Sequence, residues 1–233
     1  MPSHAKFVYL FTHLAANSSA AFLNFPILIS PNIRNLIFDL GGVILNLSIS
    51  SSLKQLAAIT KLPMEKIMEA YSSREEFLQY ERGEISDNQF RAALQDIYSF
   101  REPDAVIDNC WNAMLLDIPP ERIALLKRLK ARYRTFLLSN TNSIHVKSFS
   151  ESLYREHGID SLDSLFEKVY YSHEVKMRKP DPEIYRHVLK ANGLAASETL
   201  FLDDNERNID GARTVGLEVF LVRNPDQLSS LFR

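Results

Sequence analysis

The chain has 233 residues, of which 45% are hydrophobic and 24% are charged, as expected for a folded globular protein rather than a disordered or fibrous one. Lysine and arginine number 27 and aspartate and glutamate 29, so a net charge of −2 gives no reason to expect binding to nucleic acid or an acidic membrane. The single cysteine, Cys110, cannot form an internal disulfide, which favours a reducing, cytoplasmic location.

Residues 1–32 differ in composition from the rest and are predicted to form an N-terminal extension. The apolar stretch from Phe7 to Ile29 is interrupted by polar residues, whereas a membrane helix needs ~20 mostly apolar residues. A secretory signal around the run Phe7–Phe11 is the less favoured interpretation. A dispensable extension, or a start placed too far upstream, is favoured, and no membrane association is expected.

From residue 33 onwards, short apolar runs alternate with amphipathic segments. In chain order, the predicted elements are strand 36–38, helices within 48–118, helix 119–132, strand 135–138, a helix reaching about residue 157, strand 169–172, helix 182–192, strand 199–202, helix 205–215 and strand 218–222. Strands that alternate with helices indicate an α/β fold with a parallel, doubly wound sheet.

The stretch 48–118 separates the first two predicted strands and is expected to form a small helical cap. Ser86 and Gln89 have the spacing of a capping box, in which each side chain bonds to the other residue's backbone N–H at the start of a helix. Residues 33–47 and 119–233 would then fold together into one core, and the cap would be an insertion between these two segments.

Polar side chains follow three of the predicted strands, namely Asp39, Ser139 and the pair Asp203–Asp204. The carboxyl ends of the strands form the ligand crevice of an open α/β sheet, so these residues are expected to meet there. Three carboxylates in a small space repel one another, and a divalent cation relieves that repulsion; oxygen ligands alone suit Mg²⁺. Lys179 could add a fixed positive charge, and an anion held by metal, lysine and serine is the arrangement of phosphoryl transfer.

Four segments resemble the ordered motifs of the haloacid dehalogenase (HAD) superfamily. They are FDLGGV (38–43), LLSNTN (137–142), MRKPDPEIY (177–185) and FLDDNERNIDGA (201–212). The segment YERGEIS (80–86) is similar to part of the C1-type cap that this superfamily inserts between the first two motifs. A closer likeness, to bacterial α-D-glucose-1-phosphate phosphatases, implies a Rossmann-like core with an inserted cap and hydrolysis of a small sugar phosphate.

The resemblance implies a nucleophile and a metal site. Asp39 would form an aspartyl-phosphate intermediate, and Lys179 would neutralise the phosphate and orient Asp39. Mg²⁺ would be held by the carboxylates of Asp39 and Asp204 and by the backbone carbonyl of Gly41. Asp203 would bind the ion directly or through water.

The resemblance also implies a substrate site. Phosphoryl oxygens would be held by Ser139 and by the Asn140 amide. His145, one turn into the next helix, would contact the phosphate side or pack in the interior. The expected partner is a small phosphorylated metabolite, and the oligomeric state is left open.

Position 41 departs from the usual pattern of phosphatases in the HAD superfamily, which carry there a second aspartate that protonates the leaving oxygen; the glucose-1-phosphate phosphatase-like proteins share the glycine. Gly41 cannot do so, and general acid–base help is worth ~10²–10⁴-fold. An anomeric hydroxyl, which is more acidic than an ordinary alcohol, could leave without that help. Glu81, Glu84 and His145 are the candidate substitutes.

Two other functions remain open. One is a different reaction on the same scaffold, a dehalogenase or a phosphonatase. A dehalogenase needs no metal, so the pair Asp203–Asp204 speaks less well for it, and a phosphonatase needs a reactive cap lysine. The other is a regulatory protein that binds phosphate with negligible turnover. This alternative is considered because Gly41 stands where the acid–base aspartate is expected.

Overall fold

The computed structural model describes residues 29–232, in which five parallel strands form one sheet. The strands are β1 (Asn35–Phe38), β2 (Arg134–Ser139), β3 (Lys168–Tyr171), β4 (Thr199–Asp203) and β5 (Glu218–Leu221). Their order across the sheet is β3-β2-β1-β4-β5. The predicted α/β fold with a parallel, doubly wound sheet is confirmed. Most of the predicted extension, residues 1–28, lies outside the described residues.

Helices separate the strands along the chain. They are α1 (Ile49–Thr60), α2 (Met64–Ser73), α3 (Glu75–Glu81), α4 (Asp87–Ile97), α5 (Asp104–Asn112), α6 (Pro120–Lys130), α7 (Ser143–His157), α8 (Ser172–Val175), α9 (Pro182–Asn192), α10 (Glu206–Arg213) and α11 (Gln227–Leu231). The predicted helical stretch is therefore five helices that end at Asn112, after which Leu115 forms a bridge with Leu47. Within residues 29–232, no helix has the length and apolar character needed to cross a bilayer.

The sheet is buried on both faces. Leu36 and Phe38 of β1 point into one apolar cluster, whereas Ile37 between them points into another on the opposite face. Because successive side chains of a strand alternate between the two faces, a strand covered on both sides is apolar throughout. This is why the strands are recognisable in the sequence as short apolar runs.

The helices α1–α5 enclose an apolar cluster of their own. Tyr80 and Phe90 stack with ring centroids 4.0 Å apart, and Phe90 lies 5.0 Å from Trp111. At the start of α4, the backbone N–H of Gln89 donates to the Ser86 hydroxyl, and that of Ser86 donates to the Gln89 side chain, which confirms the capping box. This arrangement fits the predicted cap, whose boundaries as a separate domain stay a prediction.

Candidate active site

The register of the sheet brings the predicted site residues to one edge. Phe38 pairs with Leu202 of β4, so Asp39 lies level with Asp203. The backbone N–H of Asp39 donates to the Leu202 carbonyl at 2.8 Å. On the other side Phe38 pairs with Leu137, so Ser139 at the end of β2 is one step further along. Asp39 thus shares the carboxyl edge of the sheet with residues that lie 100 and more positions further along the chain.

Three carboxylates and one lysine form the centre of this edge. Oxygen atoms of Asp39, Asp203 and Asp204 lie within 4.8 Å of one another. The Lys179 Nζ atom is 2.8 Å from Asp39 Oδ1 and 2.7 Å from Asp203 Oδ2. With every group ionised, three negative charges and one positive charge leave −2, which a single divalent cation would balance. Hard oxygen donors of this kind fit Mg²⁺.

Lys179 is buried because its loop is pinned from both sides. The side chain of Asn140 donates to the Lys179 carbonyl and accepts from the Lys179 N–H, each at 2.9 Å. On the other side, a Cβ atom at Gly211 of α10 would lie only 2.3 Å from the Pro180 carbonyl oxygen, so a glycine is needed where the helix passes the loop. These contacts hold the ammonium group between Asp39 and Asp203.

Asp203 is fully enclosed, and its carboxylate accepts hydrogen bonds from three residues. Besides Lys179, the Asn208 amide donates at 3.1 and 3.0 Å, and the Asn205 backbone N–H donates at 2.8 Å. A carboxylate saturated in this way fits a contact with the metal through water better than direct ligation. Sequence reasoning missed Asn205 and Asn208, although both lie in the motif FLDDNERNIDGA and Asn208 lies in the first turn of α10.

Asp204 packs against the backbone of the turn that follows β1. Gly42 has a φ of +72°, and a Cβ atom there would lie 2.2 Å from Asp204 Oδ2. Only glycine adopts this conformation readily and also leaves room for the carboxylate. Gly42 was not identified from the sequence as part of the site.

Burial, together with the crowding of the acidic groups, raises the pKa values of two of the carboxyl groups. Burial raises the pKa of Asp39 to about 7; Lys179 opposes this shift, whereas Asp203 and Asp204 add to it. Burial, and then the charge of Asp203, raise the pKa of Asp204 to about 6. Although burial alone would lower it, Asp203 and Asp39 hold the pKa of Lys179 above its ordinary value. Without a cation, the cluster therefore retains protons near neutral pH.

The three residues predicted to contact phosphate differ in their surroundings and hydrogen-bond partners. Ser139 is buried at the end of β2, at the edge of the sheet that also carries the carboxylates. The Asn140 side chain is hydrogen-bonded to the backbone of Lys179, so the backbone N–H of Asn140 is the amide that could bind a phosphoryl oxygen. His145, in the first turn of α7, packs against the cap helix α5: its ring stacks on that of Trp111 with centroids 5.0 Å apart, and its Nδ1 atom is 2.8 Å from Asn112 Oδ1. Burial lowers the pKa of His145 to about 3, so the ring is neutral and fits a packed residue better than a phosphate contact.

The two cap acids considered as substitutes at position 41 are both in ion pairs. Glu81 lies 2.8 Å from Arg178, and Glu84 lies 2.5 Å from Arg82. A Cβ atom at Gly41 would lie 2.4 Å from the Leu47 side chain, so an apolar group covers that position. None of these contacts supplies a free acid beside the nucleophile.

Comparison with known proteins shows the family to which the chain belongs. The sequence profile of the haloacid dehalogenase-like hydrolases matches residues 33–216, and the chain belongs to that family. A D-ribitol-5-phosphate phosphatase of Bacteroides thetaiotaomicron is 26% identical over 192 residues, 82% of this chain and 93% of the relative. A sesquiterpene phosphatase of Aspergillus oryzae is 27% identical over 186 residues, 78% of this chain and 85% of the relative.

A solved structure gives the same assignment. A HAD family enzyme from Bacteroides thetaiotaomicron, crystallised with magnesium and inorganic phosphate, superposes with a TM-score of 0.79 at 35% identity. The match covers 86% of this chain and 100% of that enzyme. The protein is thus a hydrolase of the phosphatase type within the family.

Proposed function

We propose that this protein is a Mg²⁺-dependent phosphomonoesterase that acts on a small sugar or sugar-alcohol phosphate through Asp39. The observation that carries the proposal is the cluster of Asp39, Asp203 and Asp204 beside Lys179, whose charge of −2 when all four groups are ionised one divalent cation would balance. Asp39, Asp204 and the Gly41 carbonyl would hold Mg²⁺. The ion would supply a Lewis acid that neutralises the phosphoryl oxygens.

The side chains suit a two-step displacement. Asp39 Oδ1 accepts from Lys179 and, at 2.7 Å, from the Leu40 N–H, so the carboxylate is held in one orientation. A carboxylate oxygen of Asp39 forms a bond to phosphorus while the bond from phosphorus to the sugar oxygen breaks, and that oxygen takes a proton from water. A second water then attacks phosphorus, which releases phosphate and restores Asp39. Ser139 and Lys179 would hold the phosphoryl oxygens meanwhile.

Two likenesses support the substrate class. A curated relative that matches 82% of the chain is named for D-ribitol 5-phosphate, a sugar-alcohol phosphate. The sequence motifs resemble those of glucose-1-phosphate phosphatases. Gly41 favours the second kind of substrate, because an anomeric oxygen leaves more readily without a proton from the protein than a primary alcohol does.

Phosphate release from a panel of substrates tests the proposal. The panel contains glucose 1-phosphate, glucose 6-phosphate and ribitol 5-phosphate, each assayed with Mg²⁺ and with EDTA. We expect Mg²⁺-dependent release that Asp39→Asn abolishes, whereas Asp210→Asn, an exposed carboxylate paired with Arg213, leaves it unchanged. Equal release by wild type and Asp39→Asn, or none from any substrate, would reject the proposal. Halide release from a 2-haloacid without metal would instead show a dehalogenase.

A further inference from the structure

The segment YERGEIS contacts the core at the loop that carries Lys179. Ser172 Oγ donates to the Glu81 carbonyl at 2.6 Å, and Lys176 Nζ donates to the Gly83 carbonyl at 2.5 Å. Both donors belong to the core segment that follows β3, and both acceptors lie at the end of α3 in the helical insertion. We call cap residues 81–83 together with core residues 172–178 the latch.

Backbone geometry shows that the latch is a close fit. Gly83 has a φ of +61°, and a Cβ atom there would lie 2.1 Å from the carbonyl oxygen of His173. Any side chain at this position would push α3 away from the core, because the obstacle is backbone and cannot rotate aside. The glycine that ends α3 therefore also permits the approach of the two segments.

One ion pair links the latch directly to the active site. The Nε–H group of Arg178 donates to Glu81 Oε2 at 3.0 Å, and a terminal nitrogen of the same guanidinium lies 2.8 Å from that oxygen. The next residue is Lys179, whose N–H and carbonyl are held by Asn140 and whose Nζ contacts Asp39. A movement of α3 would thus reach Lys179 through a single peptide unit.

We infer that Glu81 and Arg178 are positioning residues that couple the placement of the cap to that of the Lys179 ammonium group. The inference rests on the proposed phosphatase function, in which Lys179 neutralises the phosphate and orients Asp39. Neither residue needs to touch the substrate. Their pair keeps the Lys179 loop in its active position only when α3 is seated on the core.

A double-mutant cycle tests the coupling. The variants are Glu81→Gln, Arg178→Gln and the two combined, with Arg178→Lys as the conservative variant. Arg186→Gln is the matched control, because it removes an arginine from an exposed pair on α9 that lies outside the latch. Each enzyme is assayed for kcat and KM with Mg²⁺, and backbone hydrogen exchange is followed over residues 172–181 without substrate.

We expect each single variant to lose kcat about fivefold, as for loss of a partly buried ion pair, with little change in KM. The double variant should lose no more than either single one, Arg178→Lys should recover part of the loss, and exchange over residues 172–181 should speed up in both single variants. Arg186→Gln should match wild type in every readout.

Multiplicative losses in the double variant, or unchanged kcat and exchange in Arg178→Gln, would overturn the coupling. A rise in KM at constant kcat would also overturn it, since it would place Arg178 in contact with the substrate. Failure of the proposed function is distinguishable, because wild type would then release no phosphate while the exchange readout would still report on the latch.

Discussion

Replacing Lys179 by methionine should make stability strongly dependent on pH. Methionine has a similar length and can fill the buried space beside Phe201, whose ring lies 5.4 Å from the ammonium group. The substitution leaves Asp39 and Asp203 without their shared counter-ion, at contact distances of 2.8 and 2.7 Å in the wild type. Removing one partner of a buried ion pair typically costs about 3–5 kcal/mol.

The pH dependence follows from the direction of the pKa shifts. The pKa of Asp39 is raised to about 7 by burial even though Lys179 lowers it, so removing Lys179 raises it further. A carboxyl group whose pKa is higher in the folded state favours folding at low pH, and that contribution is lost as the pH rises through the folded-state value. Each extra proton that the folded variant retains changes stability by about 1.36 kcal/mol per pH unit. Between pH 5 and pH 8, the gap to wild type should therefore widen by about 1.4–4 kcal/mol.

Urea unfolding in EDTA at pH 5 and at pH 8 measures this gap. Lys190→Met, an exposed lysine on α9, is the matched control and should change stability by less than about 0.5 kcal/mol at either pH. An equal loss of stability for Lys179→Met at both pH values would contradict this prediction. It would mean that Lys179 stabilises the fold by packing rather than by balancing the carboxylates.

Three further predictions concern the metal site and its backbone. Mg²⁺ affinity should fall roughly tenfold between pH 8 and pH 6, because protons compete with the ion for Asp39 and Asp204, whose pKa values are raised to about 7 and about 6. The same Kd at both pH values in a calorimetric titration would contradict this. Asp204→Asn should weaken Mg²⁺ binding by about tenfold or more in the same titration, because it removes a charged ligand. Asp210→Asn is the control, and an equal Mg²⁺ affinity in the two variants would exclude Asp204 as a ligand. Gly42→Ala should lower the free energy of unfolding in urea more than Gly158→Ala does. Both positions have positive φ, where a residue other than glycine costs about 1–2 kcal/mol, but only at Gly42 does the new Cβ atom meet a carboxylate. Equal losses in the two variants would show that this contact is not tight.

The strands and the residues that follow them could be predicted because each is encoded locally. A parallel strand covered on both faces is a short apolar run, and Asp39 and Asp203 stand where two such runs end. The helix α8 was not predicted, since its four residues, Ser172–Val175, are too few to show a helical period. The predicted third strand accordingly extended to Ser172, which instead begins that helix.

Contacts between distant elements could not be predicted from sequence spacing. The clamp of Asn140 on Lys179 joins residues 39 positions apart, and the pair of Glu81 and Arg178 joins residues 97 apart. His145 likewise offered several interpretations until its partner Asn112, in another helix, was known. Such partners depend on how the elements pack, which the pattern of a single strand or helix does not contain.

Mass spectrometry of the acid-quenched reaction tests the nucleophilic role of Asp39 most directly. Enzyme and Mg²⁺ are mixed with whichever panel substrate turns over fastest, quenched during turnover and digested. If Asp39 is the nucleophile, the peptide that contains it carries a phosphoryl group, and Asp39→Asn shows neither the adduct nor turnover. Mg²⁺-dependent turnover that persists in Asp39→Asn, or a phosphoryl group on another residue, would contradict that role.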